Sequence, residues 1–386
     1  MGFDFDKTID RRHTSSMKWD KYKGKDILPL WVADMDFRSP PAVIDALHDS
    51  IDHGVFGYGE PPEALVDTVL WMLEKDHGWK IEAEWIIWIP GLVAGLNVAC
   101  RAIGTSGDDI LTTVPIYPPF LDAPGFSDRN LVTTPLIREG DHWGFDFDHL
   151  KAAITPRTRL FMLCNPHNPS GRVLTKKELT TLTDICEEHD ISICSDEIHC
   201  GLILDADKRH IPTATVSPQT ARRTITLMAP SKTYNLPGLG CSFAIISDSP
   251  LRQHFRQAMK GIVPSVTIPG YAAALAAYRQ GHQWHTALLD YLRNNRNTVI
   301  ATVNTMDGLS VGRIEATYLA WIDTRDTGID DPVTFFEDAG IGLSDGAEFG
   351  SPGFVRLNFG CPRSTLNEAL KRMKEAMEGY RHESKR

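Results

Sequence analysis

Three short apolar runs in this chain end in residues able to do chemistry. RLFMLC gives way to NPHNPSG with Asn168, ISICS to Asp196 in DEIHC, and TITLMA to PSKTYNLPG with Lys232. Ligands of open α/β sheets bind beyond the carboxyl ends of the strands. A carboxylate, a lysine and an Asn-Pro loop at such strand ends form one convergent polar site. A fourth place suits an anion. Pro90-Gly91 closes the run EWIIWI and Leu92 onward has a helical pattern, so free N–H groups at Leu92, Val93 and Ala94 point at negative charge. Each residue alone is weak evidence; the convergence is what counts.

The elements that must position these residues follow from the periodicity. From about residue 84, short runs apolar on both faces alternate with amphipathic helices: EWIIWI, ILTTV, LVTTPLI, RLFMLC, ISICSD, TITLMA and CSFAII. Such runs predict a mainly parallel, seven-stranded sheet buried between helices. The best-marked helix spans 176–189, with Thr175 and Glu178 as capping box and Leu179, Leu182, Ile185 and Cys186 as its stripe. Earlier, Ser39 is expected to cap a helix that has Pro40 at its first position. Near residue 270 the alternation loosens into a long helical stretch, the runs TYLAWID and FVRLNF, and a closing helix with Thr365 and Glu368 as capping box. The expected organisation is a large α/β domain over 45–270 and a smaller α+β domain built from 1–44 and 271–386.

The 386 residues are too many for one ordinary core, and 42% hydrophobic with 23% charged residues is a globular composition. A formal charge of −10, without any Lys/Arg run, speaks against nucleic acid as partner. The charged N-terminus MGFDFDKTIDRRHTSS does not resemble a secretory signal, and no apolar run approaches membrane-spanning length. Seven scattered cysteines, an odd number, suit reduced thiols and a cytoplasmic setting. Cys194, His199 and Cys200 lack zinc-finger spacing, so no metal is expected.

Seven motifs carry a resemblance over nearly the whole chain: WVADMDF (31–37), PGLVAGL (90–96), NPHNPSGR (165–172), SDEIHC (195–200), APSKTYNLPGL (229–239), YLAWID (318–323) and VRLNFGCPR (355–363). In this order they resemble the fold-type I pyridoxal 5′-phosphate (PLP) enzymes related to class I and II aminotransferases, and most closely the MalY/PatB group of cystathionine β-lyase-like C–S lyases. The resemblance implies a homodimer with PLP as cofactor. It implies that Lys232 carries PLP as a Schiff base and, once freed, acts as base at the substrate Cα. Asp196 would face the pyridine nitrogen, Asn168 the phenolic oxygen, and Tyr117 would stack on the ring. The phosphate would take the N–H groups at 92–94, the Ser231 hydroxyl, and Tyr58 reaching over from the second subunit. Arg356 would grip the substrate carboxylate through its planar fork, with the Ala33 N–H as a second donor.

Two departures separate the chain from ordinary aminotransferases. His199 stands where they usually have a tyrosine, and Gly240 where they usually have a phosphate-binding arginine. His199 either tunes the phenolic oxygen or satisfies a buried neighbour, and both readings stay open here. The implied reaction is α,β-elimination of cystathionine or a related cysteine S-conjugate, with Tyr58 or Tyr117 assisting the leaving sulfur. An aminotransferase on the same scaffold is the main alternative, because a shared fold does not fix the reaction. A regulatory protein holding PLP as a structural ligand is another.

Overall fold

The computed structural model describes residues 2–384. Its centre is a mixed sheet of eight strands: β1 (Ile86–Ile89), β2 (Asp109–Val114), β3 (Asn130–Glu139), β4 (His142–Phe145), β5 (Thr158–Cys164), β6 (Ser192–Asp196), β7 (Thr224–Met228) and β8 (Ser242–Ile245). In space the order is β1-β8-β7-β6-β5-β2-β3-β4. The strands β7, β6, β5, β2 and β3 run parallel, and β1, β8 and β4 are antiparallel to their neighbours. All seven expected runs are strands. The eighth, β4, is a short edge strand paired with the end of β3, from Leu136↔Phe145 to Glu139↔His142. Burial explains the run composition, since all five residues of β7 and the last four of β6 are buried.

Helix α1 (Pro41–His53) packs on α6 (Ile268–Gln280), and α2 (Glu63–His77), α3 (Leu92–Ala102), α4 (Lys176–Glu188), α5 (Ser249–Met259) and α6 cover this sheet. The Thr175/Glu178 capping box of α4 forms with both hydrogen bonds, a device worth about 1 kcal/mol. The cap of α1 differs from expectation. Pro40 is the N-cap and Pro41 the first helical residue, while the Ser39 hydroxyl instead donates to the Asn235 carbonyl at 3.0 Å. With two consecutive prolines, the helix starts after the first because both lack an N–H and the second fits the first turn.

A second sheet, β9 (Ser310–Val311), β10 (Leu319–Asp323), β11 (Ser344–Asp345) and β12 (Phe354–Asn358), has the order β9-β10-β12-β11 and is antiparallel throughout. It packs with α7 (His282–Val303) and α8 (Arg363–Ser384). Their shared core takes Phe5, Leu30 and Met35 from the N-terminal segment, and Leu28–Pro29 pairs in parallel with Ile341–Gly342. The helix α8 begins at Arg363, so Thr365 lies inside its first turn instead of capping it, and Glu368 pairs with Arg372 at 2.9 Å. Among the described residues, no helix is long and apolar enough to cross a membrane, and no group of three metal-ligating side chains occurs.

Candidate active site

The strands β5, β6 and β7 are adjacent and parallel, so their carboxyl ends open on one side of the sheet. There a cavity of about 210 Å³ is lined by Asn168, Asp196, His199, Ser231, Lys232 and Tyr117, with Ala33, Leu92 and Val93 completing the predicted set. Three expected residues lie elsewhere. Ala94 is one step along α3 and outside the lining. Arg356 sits behind Asn168, to whose Oδ1 it donates from Nη1 at 3.1 Å. Tyr58 is fully exposed in the 54–62 loop and does not reach the cavity of its own chain.

Asp196 closes β6 and is buried, with the Ile198 N–H donating to its Oδ1 at 3.1 Å. Burial raises its carboxyl to about 7; the Ile198 bond and Lys232 oppose that shift, and Glu197 adds to it. A second layer fixes the backbone beside it. Glu197 accepts from the Ser195 hydroxyl at 2.8 Å and the Thr213 N–H at 2.9 Å, and pairs with His210 at 2.7 Å.

Lys232 follows β7 in a turn starting at Pro230, and its Nζ donates to the Ala33 carbonyl at 2.6 Å. Burial, then the Arg356 guanidinium, lower its ammonium to about 8, against the pull of Asp34 and Asp196. His199 is pushed down to about 3 by burial and by the cations Lys232 and Arg356, so its ring is neutral. Its Nδ1 has no partner among the described residues, so the reading that it satisfies a buried neighbour is not met at that atom. Its ring lies edge-on to Tyr318, centroids 6.3 Å apart. Burial also raises the Tyr117 phenol.

The WVADMDF segment is a strap gripped through its carbonyls. Trp31 O accepts from Arg356 Nη2 (2.8 Å) and Ser344 Oγ (2.8 Å), and Val32 O from Asn358 Nδ2 (2.6 Å). Ala33 O accepts from Lys232 and from Tyr318 (2.9 Å), and Asp34 O from Asn358 (2.7 Å) and Lys18 (3.2 Å). Beneath it, the buried Lys18 and the half-buried Arg11 each hold Asp36 at 2.7 Å, and Arg11 also holds Asp34 at 2.7 Å. Sequence reasoning named Arg356 and Ala33 but not Tyr318, Asn358, Ser344 or Lys18. Tyr318 opens the YLAWID motif and Asn358 lies within VRLNFGCPR, so a signal existed for those two.

The donor set fits PLP. The helix α3 begins at Leu92 after the cap residue Gly91, which has no side chain to bond its first N–H groups and leaves them for a phosphate. Among the described residues the buried Asp196 carboxylate has no ion-pair partner, and a protonated pyridine nitrogen would supply one. Gly240, at the same wall, has φ +55°, and a Cβ there would sit 3.1 Å from the Pro90 carbonyl oxygen. An arginine there, as in ordinary aminotransferases, would have to adopt a left-handed backbone and push the Pro90 carbonyl back by a few tenths of an ångström.

Fold and site thus define a class, and comparison with known proteins gives the family. Residues 25–373 match the model of the aminotransferase class I and II family, to which this chain belongs. It is 36% identical to the cystathionine beta-lyase PatB of Bacillus subtilis, over 97% of this chain and 99% of that protein. The crystal structure of OvoB superposes with a TM-score of 0.95 at 46% identity, covering 97% of this chain and 99% of that one. Cystalysin from Treponema denticola, whose crystal structure contains a pyridoxal 5′-phosphate cofactor, superposes with a TM-score of 0.94 at 32% identity, covering 98% and 100%.

Proposed function

We propose that this chain is a PLP-dependent carbon–sulfur lyase. It converts cystathionine or a related cysteine S-conjugate, with water, into a thiol, pyruvate and ammonia by α,β-elimination. The observation that carries the reading is the meeting of Lys232, Asp196 and Asn168 on one cavity, with Arg356 bonded to Asn168 behind it. When bound, PLP supplies a carbonyl for the substrate amine and an electron-poor ring that stabilises negative charge at Cα.

The chain's own residues do the rest. Arg356 and the Ala33 N–H hold the α-carboxylate, and Asn168 orients the guanidinium as well as the cofactor's phenolic oxygen. Lys232 takes the Cα proton; an amine lowered to about 8 is partly neutral near pH 7, as a base must be. Tyr117 covers the ring, and either it or Tyr58 gives a proton to the departing sulfur. Asp196 faces the ring nitrogen, and its carboxylate is stabilised by that cation. His199 borders the phenolic oxygen as a neutral ring. The N–H groups at 92–94 and Ser231 hold the phosphate.

Tyr58 joins that phosphate from a second subunit, making the enzyme a homodimer. Its full exposure, beside exposed Ile51, Val55 and Phe56, supports an interface there. The two sheets head two domains, residues 45–270 and residues 1–44 with 271–386. Seven unpaired cysteines, six of them buried, suit the reducing cytoplasm.

Incubation with L-cystathionine and no oxo acid tests the reaction. Homocysteine and pyruvate are expected in equal amounts. A requirement for an oxo acid, with no thiol released, would make the chain an aminotransferase instead.

A further inference from the structure

Two carboxylates stand in succession at the end of β6, and only Asp196 lines the catalytic cavity. Neighbours along an extended chain point to opposite faces, so Glu197 turns away from the cavity together with Ser195, two residues back. Glu197 is fully buried. Its N–H donates to the Leu227 carbonyl of β7 at 2.8 Å, which fixes its backbone. Its carboxylate takes three donors: the Ser195 hydroxyl at 2.8 Å, the Thr213 N–H at 2.9 Å and His210 Nε2 at 2.7 Å.

No settled positive charge comes with these donors. Among the described residues, the one side chain paired with Glu197 that could carry such a charge is His210. That ring is buried and its Nδ1 has no partner, so a second proton on it would find no acceptor. His77 of α2 stands edge-on to His210, centroids 5.4 Å apart, and is lowered by burial and then by His210. The Cys200 thiol, raised to about 12 by burial and then by Glu197, stays neutral. Glu197 is therefore a buried anion held by hydrogen bonds. Such a charge costs stability even when well bonded, so packing alone does not account for it. Its field reaches the next residue. Around Asp196, Lys232 opposes the rise of the carboxyl and Glu197 adds to it, while the Cys164 and Cys194 thiols and the Tyr117 phenol are all raised and uncharged.

We propose that Glu197, kept ionised by His210, Ser195 and Thr213, is a positioning residue that acts through Asp196 to hold the proton on the ring nitrogen of PLP. The pyridinium then meets one negative charge in contact and a second behind it, and the ring is a stronger sink for electrons from Cα. This rests on Asp196 facing the ring nitrogen, and it stands whether the chain is a lyase or an aminotransferase.

The test compares two cofactors on the cofactor-free protein by equilibrium binding: PLP, and 1-deazapyridoxal 5′-phosphate, which has C–H in place of the ring nitrogen. Glu197→Gln keeps the shape and still accepts from Ser195 and Thr213. Its dissociation constant for PLP should rise about tenfold, the effect of one charge across a partly screened interior, and that for the deaza analogue by less than about twofold. His210→Leu leaves the carboxylate a donor short and favours its neutral form, so it should weaken PLP in the same selective way. His210→Gln, which keeps a donor, should restore most of the affinity. Both cofactors weakened alike in Glu197→Gln, or PLP binding unchanged or tighter, overturns the proposal, as does His210→Gln weaker for PLP than His210→Leu. Asp196→Asn separates the two levels. If it too fails to discriminate between the cofactors, the placing of Asp196 is wrong; if it discriminates and Glu197→Gln does not, only the role of Glu197 falls.

Discussion

Lys232 donates from Nζ to the carbonyl of Ala33 at 2.6 Å, which ties the amine after β7 to the strap at 31–37. That strap is held in turn by Tyr318, Asn358 and Arg356 around the small sheet. The position of the base therefore depends on contacts from both sheets and from the N-terminal segment.

Replacing Lys232 separates its chemistry from its packing. In Lys232→Ala, release of pyruvate from a cysteine S-conjugate should fall by at least about three orders of magnitude, since base and cofactor attachment go together. The visible absorbance of lysine-bound PLP should vanish, while the thermal unfolding midpoint stays within a few degrees. Activity within tenfold of the unaltered enzyme would remove Lys232 from the reaction.

The ion cluster under the strap should matter to stability. Lys18 is fully buried and holds Asp36, itself buried, at 2.7 Å. Deleting one partner of a buried pair leaves a charge unmatched, at a cost of about 3–5 kcal/mol. Here Arg11 and Trp19 still reach Asp36 at 2.7 and 3.0 Å, so Lys18→Met belongs at the lower end. Chemical denaturation measures it, and Lys18→Met with Asp36→Asn should recover part of the loss. A single variant as stable as the parent would mean that the cluster carries no weight.

Arg356 should set the pH at which Lys232 becomes reactive. Its guanidinium lowers the amine, after burial the larger contribution, to about 8. Only the neutral amine condenses with an aldehyde, so the rate at which cofactor-free protein takes up PLP should rise through about pH 8. In Arg356→Gln that midpoint should move upward, because a cation next to the ammonium is gone. A midpoint that stays or falls would show that the two side chains are not electrostatically coupled.

Much of this site could be read from the chain because its main residues sit at strand ends, and strands of this kind announce themselves locally. RLFMLC, ISICSD and TITLMA are buried on both faces, so their composition alone marks where Asn168, Asp196 and Lys232 must follow. The strap's cage has no such local mark. Its bonds join the Met35 carbonyl to Asn235 and the Trp31 carbonyl to Arg356, 200 and 325 residues apart, and the pairing of a particular carbonyl with a particular side chain exists only once the chain is folded. The short strand β4 was missed for the opposite reason. HWGF is four residues with a glycine inside, too little pattern to stand out. At Thr365 the capping-box spacing is present, but Pro362 starts the helix earlier, with Leu366 N–H bonded to the Pro362 carbonyl at 3.0 Å.

Asp196 should make the cofactor-free protein sensitive to pH. Its carboxyl is raised to about 7 from an ordinary value near 4, so the folded chain holds this proton more tightly than the unfolded one. The stability it contributes is then complete below about pH 4 and is lost as pH rises towards 7. Cofactor-free Asp196→Asn lacks this loss, so its unfolding midpoint should exceed that of the parent at pH 8 and the gap should shrink at pH 5. The same variant should bind PLP more weakly, because the cationic ring has lost its counter-charge. A gap that widens on acidification would contradict the assignment of a raised carboxyl.

Gly240 offers a test of why this site lacks an arginine. The simplest expectation is that restoring the residue found in ordinary aminotransferases, as Gly240→Arg, would add a phosphate contact and tighten PLP. The backbone argues otherwise. Its φ of +55° costs a side-chain-bearing residue about 1–2 kcal/mol, and the new Cβ would press on the Pro90 oxygen at 3.1 Å. Pro90 immediately precedes Gly91, the cap of α3, so any retreat shifts the very N–H groups that meet the phosphate. Gly240→Arg should therefore lower the unfolding midpoint by several degrees and leave PLP affinity, followed by equilibrium dialysis, unchanged or weaker. Gly240→Ala carries the backbone cost without the charge and should lower the midpoint similarly. If Gly240→Arg binds PLP more tightly at an unchanged midpoint, the glycine is not conformationally required, and the phosphate site has room that this geometry denies it.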